Sequence, residues 1–232
     1  MSLNSIRIYL YRKSNIPSGQ ITRPKEFKPD LESRMLYRET AYICEHIQRI
    51  IGKTNSGTCR LLNVMAGVGI SEIRIHDLRN IIDIDVPFDF PTYTKSTIEQ
   101  KQTMVLALLE FAFDYICKAK QWDFTVFKEA MDTIKRENFE NKFMFGKKTF
   151  NSKRDQAYIW LEQDINSMMI YIRVQMKNGQ RKDLLIQKSF PSMFDYDRFL
   201  GKLKWIDDQS LELRTLSSQL IYSLKDFSDL EQ

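Results

Sequence analysis

Residues 156–189, QAYIWLEQDINSMMIYIRVQMKNGQRKDLLIQKS, carry the clearest fold signal in this chain. Aliphatic residues alternate with polar or aromatic ones through most of the stretch, as in strands that are buried on one face. The pair Asn178–Gly179 separates two such runs and is typical of a two-residue hairpin loop with positive φ at both positions. The alternation begins upstream at Phe143 and Phe145. The pattern therefore predicts a four-stranded antiparallel meander.

The first part of the chain mixes strand and helix periods. Residues 6–10 alternate as a strand, and residues 36–51 place isoleucines and a leucine on one helical face that ends at Gly52. A longer amphipathic helix begins at Ser96, which forms a capping box with Glu99. Shorter apolar runs between the two helices predict three further strands.

The change of period near residue 139 predicts two parts. Residues 1–139 form a mixed strand and helix part with a long amphipathic helix, and residues 140–232 form the antiparallel meander with flanking helices. A last helix is expected from Ser192 through Leu203, then a short strand at 211–213 and a short helix. Because strands and helices are segregated, we expect an α+β fold, in two domains or one continuous domain.

Composition narrows the class of protein. The chain has 232 residues, 43% of them hydrophobic, with 8 Gly and 6 Pro, which excludes collagen-like and broadly disordered chains. No apolar run is long enough for a membrane span, and residues 1–5 do not resemble a secretion signal. Three scattered cysteines do not resemble a disulfide framework. We therefore expect a cytoplasmic bacterial protein with free thiols.

Charge is unevenly distributed along the chain. The net charge is +5, but residues 141–190 carry ten basic and four acidic side chains. Residues 207–232 carry six acidic and two basic side chains. The basic segment favours an acidic partner. The acidic tail could instead shield this segment within the same chain or solubilise the chain end, and ordinary solvated faces produce the same pattern.

Catalytic and metal-binding patterns are weak. The two histidines, His46 and His76, have no orienting carboxylate that the sequence places on the same face. No His/Cys spacing is typical of a zinc site, because Cys44 and His46 point to different sides of a helix. The residues do not supply a set of nucleophile, general base and oxyanion-stabilising donor that would form a catalytic site. We expect no catalytic residue, no cofactor and no metal.

One segment weakly resembles a cofactor loop. An apolar strand runs into Gly67 and Gly69, as in nucleotide and S-adenosylmethionine binders, and Asp83 or Asp85 lies at the distance of their ribose-binding carboxylate. Three features disagree: Met65 replaces the first glycine, Asn63 replaces an acid, and residues 73–76 alternate like a strand. A plain turn with two glycines is the favoured interpretation.

The meander supplies the candidate binding residues. Tyr158, Trp160, Tyr171 and Arg173 lie opposite the aliphatic row, and this composition is typical of protein hot spots and of surfaces that stack nucleic-acid bases. Four neighbouring cations form a rim that would steer an acidic partner: Lys147, Lys148, Lys153 and Arg154. A two-residue hairpin loop would pair Tyr171 with Ile186 and Arg173 with Leu184. Core packing of this face remains an alternative.

These observations favour a non-catalytic protein that recognises another macromolecule. The most concrete version is a bacterial cytoplasmic immunity-type protein that binds and neutralises a protein toxin. One alternative is a nucleic-acid-binding protein that uses the basic and aromatic meander. Another is a transferase that binds S-adenosylmethionine or a nucleotide at Gly67 and Gly69. The oligomeric state stays open.

Overall fold

The computed structural model describes residues 3–12, 31–52, 59–215 and 217–225. Three prolines within residues 13–30 predict a long loop, and residues 54–57 predict a turn, but both segments lie outside the described residues. The chain combines helices and strands in an α+β fold, which confirms the predicted class. It divides into two compact units, Met1–Phe139 and Glu140–Gln232.

A four-stranded sheet forms the centre of the N-terminal unit. Its strands are β1 (Ser5–Arg12), β2 (Leu61–Val68), β3 (Arg74–Leu78) and β4 (Ile81–Pro87). Their order is β1-β2-β4-β3, in which β1, β2 and β4 are parallel and β3 pairs antiparallel with β4 at the edge. The alternation predicts the strands but not this parallel order, because pairing direction depends on the connections between strands.

Four helices accompany this sheet. They are α1 (Leu31–Ile51), α2 (Phe90–Lys95), α3 (Ile98–Lys120) and α4 (Phe124–Arg136). The helix α1 ends as predicted at Gly52, where φ is +55°. Ile8, Val64 and Ile84 of the sheet are fully buried, and Phe113 of α3 stacks on Phe127 of α4 with 4.4 Å between ring centroids. The core is therefore shared by sheet and helices.

The start of α3 differs from the predicted capping box. Thr97 is the N-cap, and its side chain and that of Gln100 each bond the other residue's backbone N–H. Ser96 instead ends α2, with its hydroxyl donating to the carbonyl of Thr92. The predicted capping box at Ser96 and Glu99 is wrong by one residue. Ser96 caps the end of α2, a helix that the sequence does not predict.

Two antiparallel sheets form the C-terminal unit. The predicted meander is confirmed, with β5 (Asn141–Phe150), β6 (Gln156–Gln163), β7 (Met168–Gln175) and β8 (Arg181–Ser189) paired in sequence order. The second sheet, ordered β11-β10-β9, contains β9 (Lys202–Trp205), β10 (Leu211–Arg214) and β11 (Leu220–Leu224).

The final predicted helices are wrong in two places. The helix from Ser192 is only one turn, α5 (Met193–Tyr196), followed by a 3₁₀ turn at Asp197–Phe199. Leu203 belongs to β9, where it lies opposite Leu213 of β10. Among the described residues after β10, the strand β11 forms where the sequence predicts a short helix. The spacing of apolar residues before Leu203 is typical of an amphipathic helix. Backbone pairing with β10 nevertheless stabilises a strand here.

The β7–β8 hairpin also corrects the predicted register. Met176 donates its N–H to the carbonyl of Gln180 at 2.8 Å, so three residues form the loop instead of two. Gly179 has φ of +89°, whereas Asn178 is not among the residues with positive φ. The extra loop residue places Tyr171 opposite Leu185 and Arg173 opposite Asp183. The predicted partners Ile186 and Leu184 are therefore wrong by one position.

We expect Gly179→Val to lower the free energy of unfolding by about 1–3 kcal/mol, because a β-branched residue is strained at positive φ. Urea unfolding followed by circular dichroism measures this change. The matched control is Lys177→Val in the same loop, which we expect to change stability by less than about 0.5 kcal/mol. Equal stability of the two variants would contradict the assigned loop conformation.

Candidate recognition surface

The meander has one apolar and one mixed face. The apolar face contributes to the core of the C-terminal unit through Ala157, Ile159, Leu161, Ile170, Ile172 and Val174. The predicted residues Tyr158, Trp160, Tyr171 and Arg173 alternate with these residues along β6 and β7, and so occupy the opposite face. Trp160 and Tyr171 are half-buried, whereas Tyr158 and Arg173 are only 8% and 6% exposed.

An apolar row crosses all four strands of this second face. Register places Met144 opposite Trp160, Trp160 opposite Tyr171, and Tyr171 opposite Leu185. The two outer side chains, Met144 and Leu185, are 40% and 49% exposed. We call these four residues the central row. Sequence reasoning misses its outer members, because their place depends on a bulge in β5 and on the hairpin register.

Arg173 is held firmly beside the central row. Its Nε and Nη2 atoms donate to the two carboxylate oxygens of Asp183 at 2.7 and 2.6 Å. The guanidinium carbon lies 4.1 Å from the ring centroid of Trp160, within the range of a cation–π contact. Burial lowers the pKa of Arg173, but the bonds and charge of Asp183 outweigh burial and raise it overall. This side chain is therefore a fixed cation.

Two further contacts orient the Trp160 ring. Its Nε1 donates to Glu162 at 3.0 Å, and Tyr158 meets the ring edge-on with 6.4 Å between centroids. Lys148 lies with its Nζ 5.2 Å from the Tyr158 ring centroid. These contacts limit the rotamers of the aromatic side chains, so covering this face would cost little further side-chain entropy.

The four predicted rim cations lie close together in the sequence, and we call them the basic corner: Lys147 and Lys148 in β5, and Lys153 and Arg154 in the β5–β6 turn. All four are exposed, and within the described part of the chain no carboxylate lies within 4 Å of their charged groups. Two nearby acids bind backbone instead: Asp155 accepts from the N–H of Lys177, and Asp208 from that of Ser152. The basic corner is consequently uncompensated.

The two glycines of the weak cofactor motif have local roles. Gly67 lies in β2, where an added Cβ would approach the Ile70 side chain to 1.8 Å. Gly69 has φ of +76° in the turn that leads into β3. Within residues 59–98, β2 thus leads into a strand and not into a helix whose N-terminus could bind phosphate.

A row of polar side chains crosses the N-terminal sheet, and the sequence patterns do not predict it. Register aligns Arg7, Asn63, Asp83 and His76 across the four strands. Asn63 Nδ2 donates to Asp83 Oδ1 at 2.7 Å, and both residues are buried. His76 Nε2 lies 3.2 Å from Asp85 Oδ2. The signal in the sequence is Asn63 within the apolar β2 and the alternate positions Asp83 and Asp85 of β4, but only the parallel strand order brings them together.

Other chemically reactive groups are sequestered. Burial raises the pKa of the Cys44 and Cys59 thiols, and raises that of Cys117 to about 12, so all three are protonated at neutral pH. Among the residues that the structure covers, no three His, Cys, Asp or Glu side chains are placed to hold a metal ion.

None of the described helices has the length and apolar character needed to cross a membrane.

Comparison with known proteins does not assign a family. The chain matches no family model, no curated protein sequence and no solved structure. The geometry of the C-terminal unit is therefore the basis for assigning a function.

Proposed function

We propose that this protein is a non-catalytic recognition protein that binds a protein partner through the recognition surface of its C-terminal unit. This surface consists of the central row, Tyr158, Arg173 and the basic corner. The observation that carries the proposal is the central row, which exposes apolar side chains across four strands while the opposite face forms the core. Protein hot spots are enriched in Trp, Tyr and Arg that are desolvated on binding.

The contacts of Trp160 favour a protein over a nucleic acid. Arg173 already occupies one face of the Trp160 ring, so a base could stack only on the other face. The same guanidinium is committed to Asp183 and is 6% exposed, and phosphate contact would require that ion pair to break. The exposed ends of the central row are aliphatic, and such side chains suit a protein interface better than a phosphate backbone.

The most concrete form of the proposal is an immunity-type protein of the bacterial cytoplasm that binds and neutralises a protein toxin. An inhibitor of this kind needs a rigid apolar centre for slow dissociation and charged neighbours for fast association. The fixed Trp160–Arg173–Asp183 cluster and the uncompensated basic corner support these two roles.

The experiment captures partners from native lysate on the immobilised full chain, identifies them by mass spectrometry, and measures Kd for each purified partner by calorimetry. We expect Trp160→Ala to raise Kd by about 30-fold or more, as for a hot-spot residue. Leu185→Asp repeats the test at an exposed position that contributes little to folding. The matched control Phe111→Ala truncates an aromatic residue of α3 that is 48% exposed, and we expect unchanged Kd.

Circular dichroism confirms that each variant is folded before binding is measured. Unchanged affinity in folded Trp160→Ala and Leu185→Asp would overturn the assignment of this surface. Specific retention of nucleic acid by the wild-type chain would favour the alternative nucleic-acid function.

A further inference from the structure

Resting on the proposed function, we infer that the partner presents an acidic–apolar surface to this face: apolar side chains cover the central row, and carboxylates beside them bind the basic corner. The partner is a protein of opposite charge and not a second copy of this chain.

Carboxylates on the face are already engaged within the unit. Asp183 binds Arg173 and lies 3.7 Å from Arg181, while Glu162 accepts from Trp160. The basic corner, in contrast, has no carboxylate within ion-pair distance among the described residues. The indole N–H does not cancel the charge of Glu162, but the four cations of the basic corner outnumber it, and a complementary partner supplies carboxylates to them.

The distances on the sheet restrict how the partner arranges these groups. The central row spans three inter-strand gaps, about 14 Å in total. Lys148 contacts Tyr158, which is two residues before Trp160 on β6, and donates to Gln156 at 3.0 Å. Residues two apart on a strand are about 7 Å apart. In an extended partner segment, a carboxylate that reaches Lys148 therefore lies about two to four residues from the side chain that covers Trp160.

A second copy of the chain does not satisfy this arrangement. An isologous contact would bring the same surface, with its engaged carboxylates and uncompensated cations, onto itself. Each basic corner would lack a carboxylate partner, and like charges would repel at close range. Charge complementarity consequently selects a different, acidic partner.

The test is selection of binders from a phage-displayed library of random peptides on the intact protein, followed by calorimetry of synthetic peptides. We expect enrichment of Asp or Glu about two to four positions from Leu, Phe or Trp. Leu185→Asp should raise Kd by at least about 10-fold. Lys147→Glu/Lys148→Glu should also raise Kd by at least about 10-fold. The matched control Lys118→Glu/Lys128→Glu reverses two exposed lysines of the helices and should leave Kd unchanged.

The outcomes separate this inference from the proposed function. Peptides that bind Leu185→Asp as well as wild type would show that the surface itself is misassigned. Peptides that need Leu185 but lack acidic residues, or that ignore the Lys147/Lys148 reversal, would overturn the acidic partner alone. Failure to select any binder would count against the inference. Tighter binding of a poly-dT oligonucleotide than of any selected peptide would overturn both.

Discussion

Replacing Asp183 with alanine is expected to lower the free energy of unfolding of the C-terminal unit by about 2–4 kcal/mol. Asp183 supplies both hydrogen bonds that neutralise the Arg173 guanidinium, and Arg173 is only 6% exposed. Without Asp183 a buried cation is left unpaired, which costs more than the ion pair itself contributes. Urea unfolding near neutral pH, followed by circular dichroism, measures the loss.

Two control variants separate this effect from a general loss of charge. Arg181→Met removes a cation that is 60% exposed and 3.7 Å from the same carboxylate, and we expect a change below about 0.5 kcal/mol. The double variant Arg173→Met/Asp183→Leu removes both buried charges together and should recover much of the stability lost in Asp183→Ala. A cost for Asp183→Ala no greater than that for Arg181→Met would contradict the role of the pair.

Acidification is expected to destabilise the N-terminal unit through His46. This residue of α1 is 1% exposed, and its Nε2 lies 3.2 Å from Glu137 Oε2. Burial and the charge of Arg49 together lower the pKa of His46 from 6.5 to about 4, and Glu137 opposes them only in part. Between these two pH values the unfolded chain binds the proton more readily than the folded chain does.

The contribution of His46 is therefore complete above about pH 6.5 and is lost as the pH falls toward 4, by at most about 3 kcal/mol. Urea unfolding at about pH 7 and about pH 4.5 measures the difference. His46→Gln should show a smaller pH dependence than wild type, because glutamine does not titrate. His76→Gln is the control at a side chain that is 32% exposed. An identical pH dependence in wild type and His46→Gln would exclude His46 as the cause.

The candidate surface was partly readable from the sequence. Strict alternation along β6 and β7 suffices to place Tyr158, Trp160, Tyr171 and Arg173 on one face, because successive side chains of a strand point to opposite sides. Alternation does not predict how much of each side chain is exposed to solvent. Tyr158 and Arg173 are in fact buried by their neighbours. Nor does alternation identify Asp183 as the partner of Arg173, since one extra residue in the hairpin loop shifts the β8 partners of residues 171–175 by one position.

Local patterns by themselves determined the meander, the α+β class and the end of α1 at Gly52. These features depend on side-chain periodicity and on backbone preferences of single residues, and both act over a few neighbouring positions. Only the tertiary structure decided the parallel order of β1, β2 and β4, the replacement of the last helices by β9 and β11, and the central row. These depend on hydrogen bonds and packing between distant segments, which can override local preference.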